Sequence, residues 1–378
     1  MRSLMQSYNP SPNPSMKHHL PFLSHTCPIC TIIPIHMLRA MAKCDDERIS
    51  ERAMSTLMLS ERLRGRRDAF AFLGAVALAN PTGTKRRTIY DAQEGADLPG
   101  KLVRSEGGTK SKDKHVNEAY NYSGDTYDFY KEVFGRNSID DKGMRLDSTV
   151  HFREDPSEPF DNALWDGTQM IYGDGDAVIF DRFTKSLDVI GHELTHGVTQ
   201  FEAGLIYHGQ SGALNESFSD VFGSLVKQWK KKQSVEEADW LIGAGLLTKK
   251  INGVALRSMK APGTAYDDPM LGGKDPQPDH MKNLLKLPDT RAGDWGGVHI
   301  NSGIPNRAFY LTAAAIGGHA WEKAGQIWYD ALVGPIRPDS KFKDAAKATI
   351  TTASNRFGPG SKEHQAVKSA WQQVGVIK

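Results

Sequence analysis

His192-Glu193-Leu194-Thr195-His196 decides how this 378-residue chain is read. Helical residues four apart share a face, so both imidazoles can reach one metal ion. Glu193 lies about a quarter-turn round, within reach of a water held there. Hydrolysis at a metal needs this set: an ion to polarise a carbonyl and a carboxylate to activate water. The surroundings read as helix. Leu187, Ile190, Leu194, Val198 and Phe201 recur at steps of three and four as one apolar stripe. His192 and His196 lie off that stripe, and Gly204 follows as a terminator. The bland alternative is a pair of structural histidines, which gives no reason to place Glu193 between them.

A catalytic zinc takes a third protein ligand and keeps one open position. Residues 211–226 supply a candidate on a second helix, with Leu214, Phe218, Val221, Phe222 and Leu225 as its apolar stripe. Glu216 and Asp220, four apart, occupy another face. Glu216 can complete a His2Glu site, and Asp220 can accept the free ring N–H of a ligating histidine. A solvated carboxylate pair is the competing reading. The twenty residues after His196 permit a helix–loop–helix hairpin that brings the two groups together.

Three segments then resemble a known family: HELTH (192–196), GLIYHGQSGALNESFSDVFG (204–223) and GGVHINSGI (296–304). They are similar to the thermolysin-type, or gluzincin, zinc metallopeptidases, over roughly 200 residues from about Asn162 to the C-terminus. The resemblance implies one catalytic Zn2+ on His192, His196 and Glu216, with Glu193 as general base. It implies that Tyr207 and His299 donate hydrogen bonds to the oxyanion, with Asp294 orienting His299. Such donors are usually the largest electrostatic contribution to amide hydrolysis. Asn162, Ala163 and Trp165 match the edge segment that binds the substrate backbone, and Arg257 the arginine that grips the carbonyl beyond the scissile bond. Phe180, Phe183, Val189 and Leu256 match the pocket for the residue after that bond, so a hydrophobic residue is implied there.

The implied activity is zinc-dependent neutral endopeptidase, acting on peptides or proteins. The fold implied is α+β and two-lobed, a β-rich N-lobe and an α-helical C-lobe with the HExxH helix between them. Asp188 matches a carboxylate of the family's double calcium site, but Lys227 stands where the bridging glutamate would be. Loss of that double site is implied, although Glu236, Glu237 and Asp239 could form a single weak Ca2+ site. A zinc-binding protein without catalysis, and a non-enzymatic binding module, are the alternatives. Neither gives Glu193, Tyr207 and His299 a joint task, and peptide cleavage with and without a chelator separates them.

A hydrophobic fraction of 39% and a charged fraction of 24% suit a soluble globular chain. A net charge of +2 gives no reason to expect nucleic acid or anionic membranes as partners. No apolar run approaches the roughly 20 residues that span a bilayer. A monomer is expected.

Residues 1 to about 35 are rich in Pro, Ser and His and read as disordered or loosely held. The run at 31–38 is too short, and too broken by Pro34 and His36, for a secretory signal. The resemblance implies a secreted enzyme, and the lack of a visible signal keeps a cytoplasmic location open. Met16 and Met37 are alternative starts. Cys27 and Cys30 read as an incidental pair without a second CxxC, and Cys44 completes the cysteines. Residues 45–75 read as a helix through Ile49, Met54, Leu57, Met58, Leu63 and Phe70.

This N-terminal stretch resembles the short pro-segment of the protealysin-like branch. Ile33-Pro34-Ile35-His36-Met37-Leu38 stands in place of its Ile-Pro-Pro-Tyr-x-Leu type motif, with departures at Ile35 and His36. The division expected is a pro-segment over 1–82, an N-lobe over 83–203 ending in the zinc-binding helix, and a C-lobe over 204–378. The pro-segment would act as an intramolecular inhibitor, with maturation near Asn80 to Lys85.

Strands are expected at 87–92, 100–104, 150–152 and 169–172, and a helix over 114–134 burying Ala119, Tyr120, Tyr127 and Tyr130. Gly173-Asp-Gly-Asp176 reads as a turn, with calcium on Asp174 and Asp176 as the alternative. Helices are expected at 304–333, 341–355 and 362–374, the last burying Val367, Ala370, Trp371 and Val374.

Overall fold

The computed structural model describes residues 31–73, 83–155 and 157–378. Two N-terminal helices, α1 (Ile35–Met41) and α2 (Glu47–Leu73), precede a mixed sheet of β1 (Arg87–Asp91), β2 (Lys101–Ser105), β3 (Leu146–Val150), β4 (Ala163–Trp165) and β5 (Met170–Tyr172). The strand order is β2-β1-β3-β5-β4. β1 pairs with β3, and β3 with β5, in parallel, while β2 and β4 run antiparallel to their neighbours. Strand alternation sorts the end of the sheet. Trp165, Met170 and Tyr172 join the main core, whereas Leu164 and Ile171 form a second cluster with Leu59 and Leu63 of α2.

α3 (Lys114–Phe134) covers the main face of the sheet. The Asp113 side chain caps it by accepting from the His115 N–H, and Gly135 ends it at φ +71°. Ala119, Tyr120, Tyr127 and Tyr130 are buried as expected. α4 (Leu187–Phe201) carries the HELTH residues, and it is buried from Leu187 to Thr199. It packs on α3, β4 and above all α5 (Gly209–Lys231). A helix apolar or paired on every side belongs to an interior, so the histidines off the stripe are buried too.

The contact between α4 and α5 needs glycine at Gly223. A Cβ there would stand 2.4 Å from the Asp188 carbonyl oxygen and 2.9 Å from the His192 nitrogen. Backbone cannot yield as a flexible side chain can, so only hydrogen fits.

The rest of the chain contains a short ladder of β6 (Leu241–Ile242) with β7 (Arg257–Ser258), then α6 (Asp294–Asn301), α7 (Gly303–Ile316), α8 (Ala324–Val333), α9 (Phe342–Phe357) and α10 (Lys362–Gln373). α10 buries Val367, Ala370 and Trp371, with Val374 buried just beyond it. None of the described helices is long and apolar enough to cross a membrane.

Several expectations need correction. Residues 304–333 form two helices, because Gly317 and Gly318 take φ of +78° and +72° and break the helical path. Phe201 is 42% exposed, since α4 ends there, two residues past Thr199, its last buried position. Met54 and Met58 of α2 face solvent, while Ile49, Leu57, Leu59 and Leu63 are the buried ones.

The loosely held stretch does not extend to residue 35. Thr31 bridges Leu164 of edge strand β4, and Ile32, Ile33 and Ile35 are buried. An unpaired strand edge beside an apolar cluster gives this segment both hydrogen-bond partners and cover. Cys27, Cys30, the side chain of Phe70 and residues 74–82, which hold the first half of the expected maturation region, lie outside the described part.

Gly223→Ala is expected to cost about 3 kcal/mol by overpacking and to spread α4 from α5. Equilibrium unfolding measures the first effect. The zinc content of the purified variant, below one per chain, measures the second.

Candidate metal centre and active site

α4 and α5 bring His192, His196 and Glu216 to one point, all buried. The His192 and His196 Nε2 atoms are 3.0 Å apart. His192 Nε2 lies 3.4 Å from Glu216 Oε2, and His196 Nε2 lies 3.5 Å from Glu216 Oε1. Ligands about 2.0–2.1 Å from a tetrahedral zinc stand roughly 3.3 Å from one another. The observed spacings fit that cage.

Chemistry supports the fit. His192 Nδ1 is 2.8 Å from Asp220 Oδ1, and a carboxylate can only accept, so the ring donates there. His196 Nδ1 is 2.8 Å from Asn215 Oδ1, with the Asn215 amide nitrogen donating to Leu205 O. With Nδ1 turned to these acceptors, both rings aim Nε2 at one point, and in their neutral forms the two Nε2 lone pairs would face each other there, a repulsion that a cation between them removes. Glu216 Oε2 is buried and accepts no hydrogen bond from the protein. The donor set of two imidazoles and one carboxylate suits zinc.

Glu193 sits beside this cage on the same helix. Its Oε2 accepts from the Trp165 N–H at 3.1 Å, and its Oε1 is buried without a protein donor. Burial pushes its pKa up to about 8, with His192 opposing the shift and Glu216 adding to it. A carboxylate raised this far takes a proton more readily than a surface glutamate.

Across the cage stand Tyr207 and His299. The Tyr207 hydroxyl donates to Glu216 Oε1 and lies 3.1 Å from His299 Nε2. Asp294 Oδ1 lies 2.7 Å from His299 Nδ1, and Asp294 Oδ2 accepts the His299 backbone N–H. Burial opposes charge on this ring, but the Glu216 and Asp294 carboxylates raise its pKa. The Asp294-Trp-Gly-Gly297 turn that aims the carboxylate is left-handed throughout, with φ between +51° and +83°. That conformation explains the glycine pair before Val298.

Arg257 on β7 grips Asp220 with a two-pronged contact, Nε and NH2 each at 2.8 Å. Asn306 Nδ2 adds a third donor at 2.9 Å. Asp220 therefore holds a metal-facing histidine and the arginine together, and its pKa is lowered by Arg257 and His192 despite burial.

The segment entering from the N-terminus lies along this site. Thr31 O is 3.1 Å from His299 Nε2. The Ile32 N–H donates to Ala163 O at 3.1 Å, Arg257 NH1 donates to Ile32 O at 3.2 Å, and the Ile33 N–H donates to Asn162 Oδ1 at 3.0 Å. Phe180, Phe183, Val189 and Leu256 are fully buried in the same apolar cluster as Ile32 and Ile33. Further along, His36 Nε2 meets the Tyr266 hydroxyl, Arg39 donates to Ala292 O, and Arg52 of α2 pairs with Glu158 and Asp176.

All the expected site residues thus fall in one region. Sequence reading missed Asn215, which holds His196, and Asn306, which holds Asp220. It also missed the close approach at Gly223. Asn215 directly precedes Glu216, so its place on α5 was a usable signal. Asn306 reaches the site from a distant helix and had none.

The residues of the 173–176 turn are engaged within the protein. Asp174 Oδ1 contacts His151 Nδ1 at 2.8 Å and His115 Nδ1 at 3.2 Å. Asp176 accepts from the Val178, Ile179 and Phe180 N–H groups. On the other side of α4, Lys227 Nζ lies 2.8 Å from Asp188 Oδ2, 2.8 Å from Asp239 Oδ1 and 2.7 Å from Leu241 O.

Residues 74–200 match the thermolysin metallopeptidase catalytic domain, and residues 203–376 its alpha-helical domain. The chain belongs to the thermolysin family of metallopeptidases. It is 51% identical over 355 residues to an "Extracellular metalloprotease" of Pectobacterium carotovorum subsp. carotovorum, covering 92% of this chain and 97% of that one. It is 52% identical over 294 residues to "Protease PrtS" of a Photorhabdus strain, covering 78% and 77%.

Among solved structures, the precursor of protealysin, a metalloproteinase from Serratia proteamaculans, matches with a TM-score of 0.82 and 50% identity. That match covers 92% of this chain and all of the other. The thermolysin-like fold, with a β-containing N-lobe and a helical C-domain, and metalloprotease activity follow from these likenesses. The family is zinc-dependent, and the His192–His196–Glu216 cage is where a metal can bind.

Proposed function

We propose that this metalloprotease is a zinc endopeptidase which cleaves before hydrophobic residues and is held inactive by its own N-terminal segment. The observation that carries the reading is a chain of contacts at the His2Glu cage: the Tyr207 hydroxyl donates to Glu216, it lies 3.1 Å from His299 Nε2, and that nitrogen lies 3.1 Å from the Thr31 carbonyl oxygen. A zinc ion in the cage would supply Lewis acidity toward the substrate carbonyl and toward water. Glu193 takes the proton of the attacking water and passes it to the leaving nitrogen. Tyr207 and His299 donate to the carbonyl oxygen as charge grows on it, with Asp294 keeping His299 in place. Ala163, Asn162 and Arg257 align the substrate backbone. Phe180, Phe183, Val189 and Leu256 receive the side chain that follows the scissile bond. Trp165 acts through its backbone N–H, which fixes Glu193.

Residues 1–82 serve as the pro-segment on this reading, followed by lobes over 83–203 and 204–378. Docking by tether gives the segment a high effective concentration at the cleft. Export is proposed by analogy with the relative named as extracellular.

Glu193→Gln is expected to lower kcat/KM on a peptide with Leu or Phe after the scissile bond by about 10²–10⁴-fold while retaining one zinc per chain. His196→Ala should lose both zinc and activity. A Glu193→Gln protein that fails to hold zinc would refute the assignment of the base.

Lys227 occupies the position where a divalent ion would meet Asp188, so the double calcium site is proposed to be lost. Calcium at about millimolar, the weak end of the protein range, should leave the wild-type Tm unchanged, whereas Lys227→Glu should make Tm calcium-dependent. A large calcium effect on wild type with none added by Lys227→Glu contradicts the proposal.

Maturation is proposed to be autocatalytic. Wild-type chain should shorten by roughly eighty residues on incubation, as expected of short pro-segments docked on their own cleft, and Glu193→Gln should not. Fully active enzyme that keeps its whole N-terminus would sink the idea.

A further inference from the structure

We infer that the Thr31–Ile32 peptide bond is itself a processing site, cut by the enzyme before the pro-segment is released. The inference rests on the peptidase reading above and goes beyond it by naming the bond.

Four backbone contacts set the register. Thr31 O faces His299, Ile32 N–H donates to Ala163, Ile32 O accepts from Arg257, and Ile33 N–H donates to Asn162. The antiparallel bridge from Thr31 to Leu164 extends β4 as an added strand would. In this register the carbonyl opposite the oxyanion donors belongs to Thr31, and the residue after it is the apolar Ile32. Pro34 stops the chain from sliding. It has no N–H, it stands at φ −64° and it begins the turn into α1. A shift of one residue would put that nitrogen opposite Asn162 with nothing to donate. A shift the other way would put the Thr31 hydroxyl where Ile32 now sits among apolar side chains.

Hydrolysis here consumes one water. Its oxygen bonds to the Thr31 carbonyl carbon, the C–N bond breaks, and the Ile32 nitrogen takes the proton to leave as an amine. The products are residues 1–31 and a chain beginning at Ile32. This cut does not open the cleft. Ile32, Ile33, Ile35, Met37, Leu38 and Met41 remain buried on the far side of the broken bond. Release then needs a second cut downstream, so maturation has two steps.

The test follows the zinc-loaded full-length chain by intact mass and N-terminal sequencing. An Ile32 N-terminus should appear first, at a rate independent of protein concentration, before any species shortened by about eighty residues. Ile32→Leu should still be cut. Ile32→Pro, which lacks the N–H donated to Ala163, should not be cut at this bond.

Hydrogen exchange gives a readout that needs no catalysis. In full-length Glu193→Gln the segment around Ile32 and Ile33 should be protected, and Ile32→Pro in that background should remove the protection. Wild type that cleaves an added peptide and matures, yet never yields an Ile32 N-terminus, overturns this inference and leaves the peptidase reading standing. Failure to cleave the added peptide at all instead refutes that reading, and this inference with it.

Discussion

The site depends on how closely α4 and α5 approach at Gly223. Helix axes usually pack 8–10 Å apart, with the distance set by the side chains between them. Here one helix lays hydrogen against the other's backbone, because a Cβ at Gly223 would fall 2.4 Å from the Asp188 carbonyl oxygen. That approach lets Glu216 reach the two imidazoles of α4 within 3.5 Å. It also buries ionisable groups that are costly to bury, and each must be answered by a partner. His192 is answered by Asp220, His196 by Asn215 and Asp188 by Lys227.

Much of this was legible in the sequence, for a physical reason. A helix imposes its period locally, so α3 was readable as Lys114–Phe134 and α4 as the stretch carrying HELTH. The pairing of His192 with His196 was readable because ligand spacing on a helix is also local, and Glu216 was readable through the separate apolar stripe of α5. What stayed hidden depends on contacts between distant segments. Phe201 fits the apolar stripe of α4, yet the helix ends there and the ring turns to solvent. Asn306 supports Asp220 across 86 residues of chain. Gly317 and Gly318 lie inside the helix expected over 304–333, and their positive φ values divide it into α7 and α8. Residues 31–35 read as loose because their own sequence has no period. Their order comes from an edge strand more than a hundred residues away.

The docked N-terminal segment separates two tasks that are often merged. Backbone hydrogen bonds contribute about 0.5–1.5 kcal/mol each, net, and the four contacts at Thr31 to Ile33 mainly set register. Apolar burial contributes about 1.5–3 kcal/mol for each Ile, Leu or Met side chain. Six of these are buried between Ile32 and Met41, and α2 adds Ile49, Leu57, Leu59 and Leu63. Affinity therefore resides in the side chains after the Thr31–Ile32 bond, and alignment resides in the main chain across it. On the proposed reading, a segment built this way can be cut at the zinc and still hold its place.

Asp220 joins these tasks to the metal. It holds His192 with one oxygen and shares both oxygens with Arg257, the residue that also reaches the Ile32 carbonyl. Losing the guanidinium would leave a buried carboxylate with Asn306 and His192 as its remaining donors. An uncompensated buried charge is expensive. The cost would fall on the orientation of His192 as well as on the grip for the peptide. Peptide alignment and the metal cage consequently share one buried ion pair, and neither can be altered through Arg257 without disturbing the other.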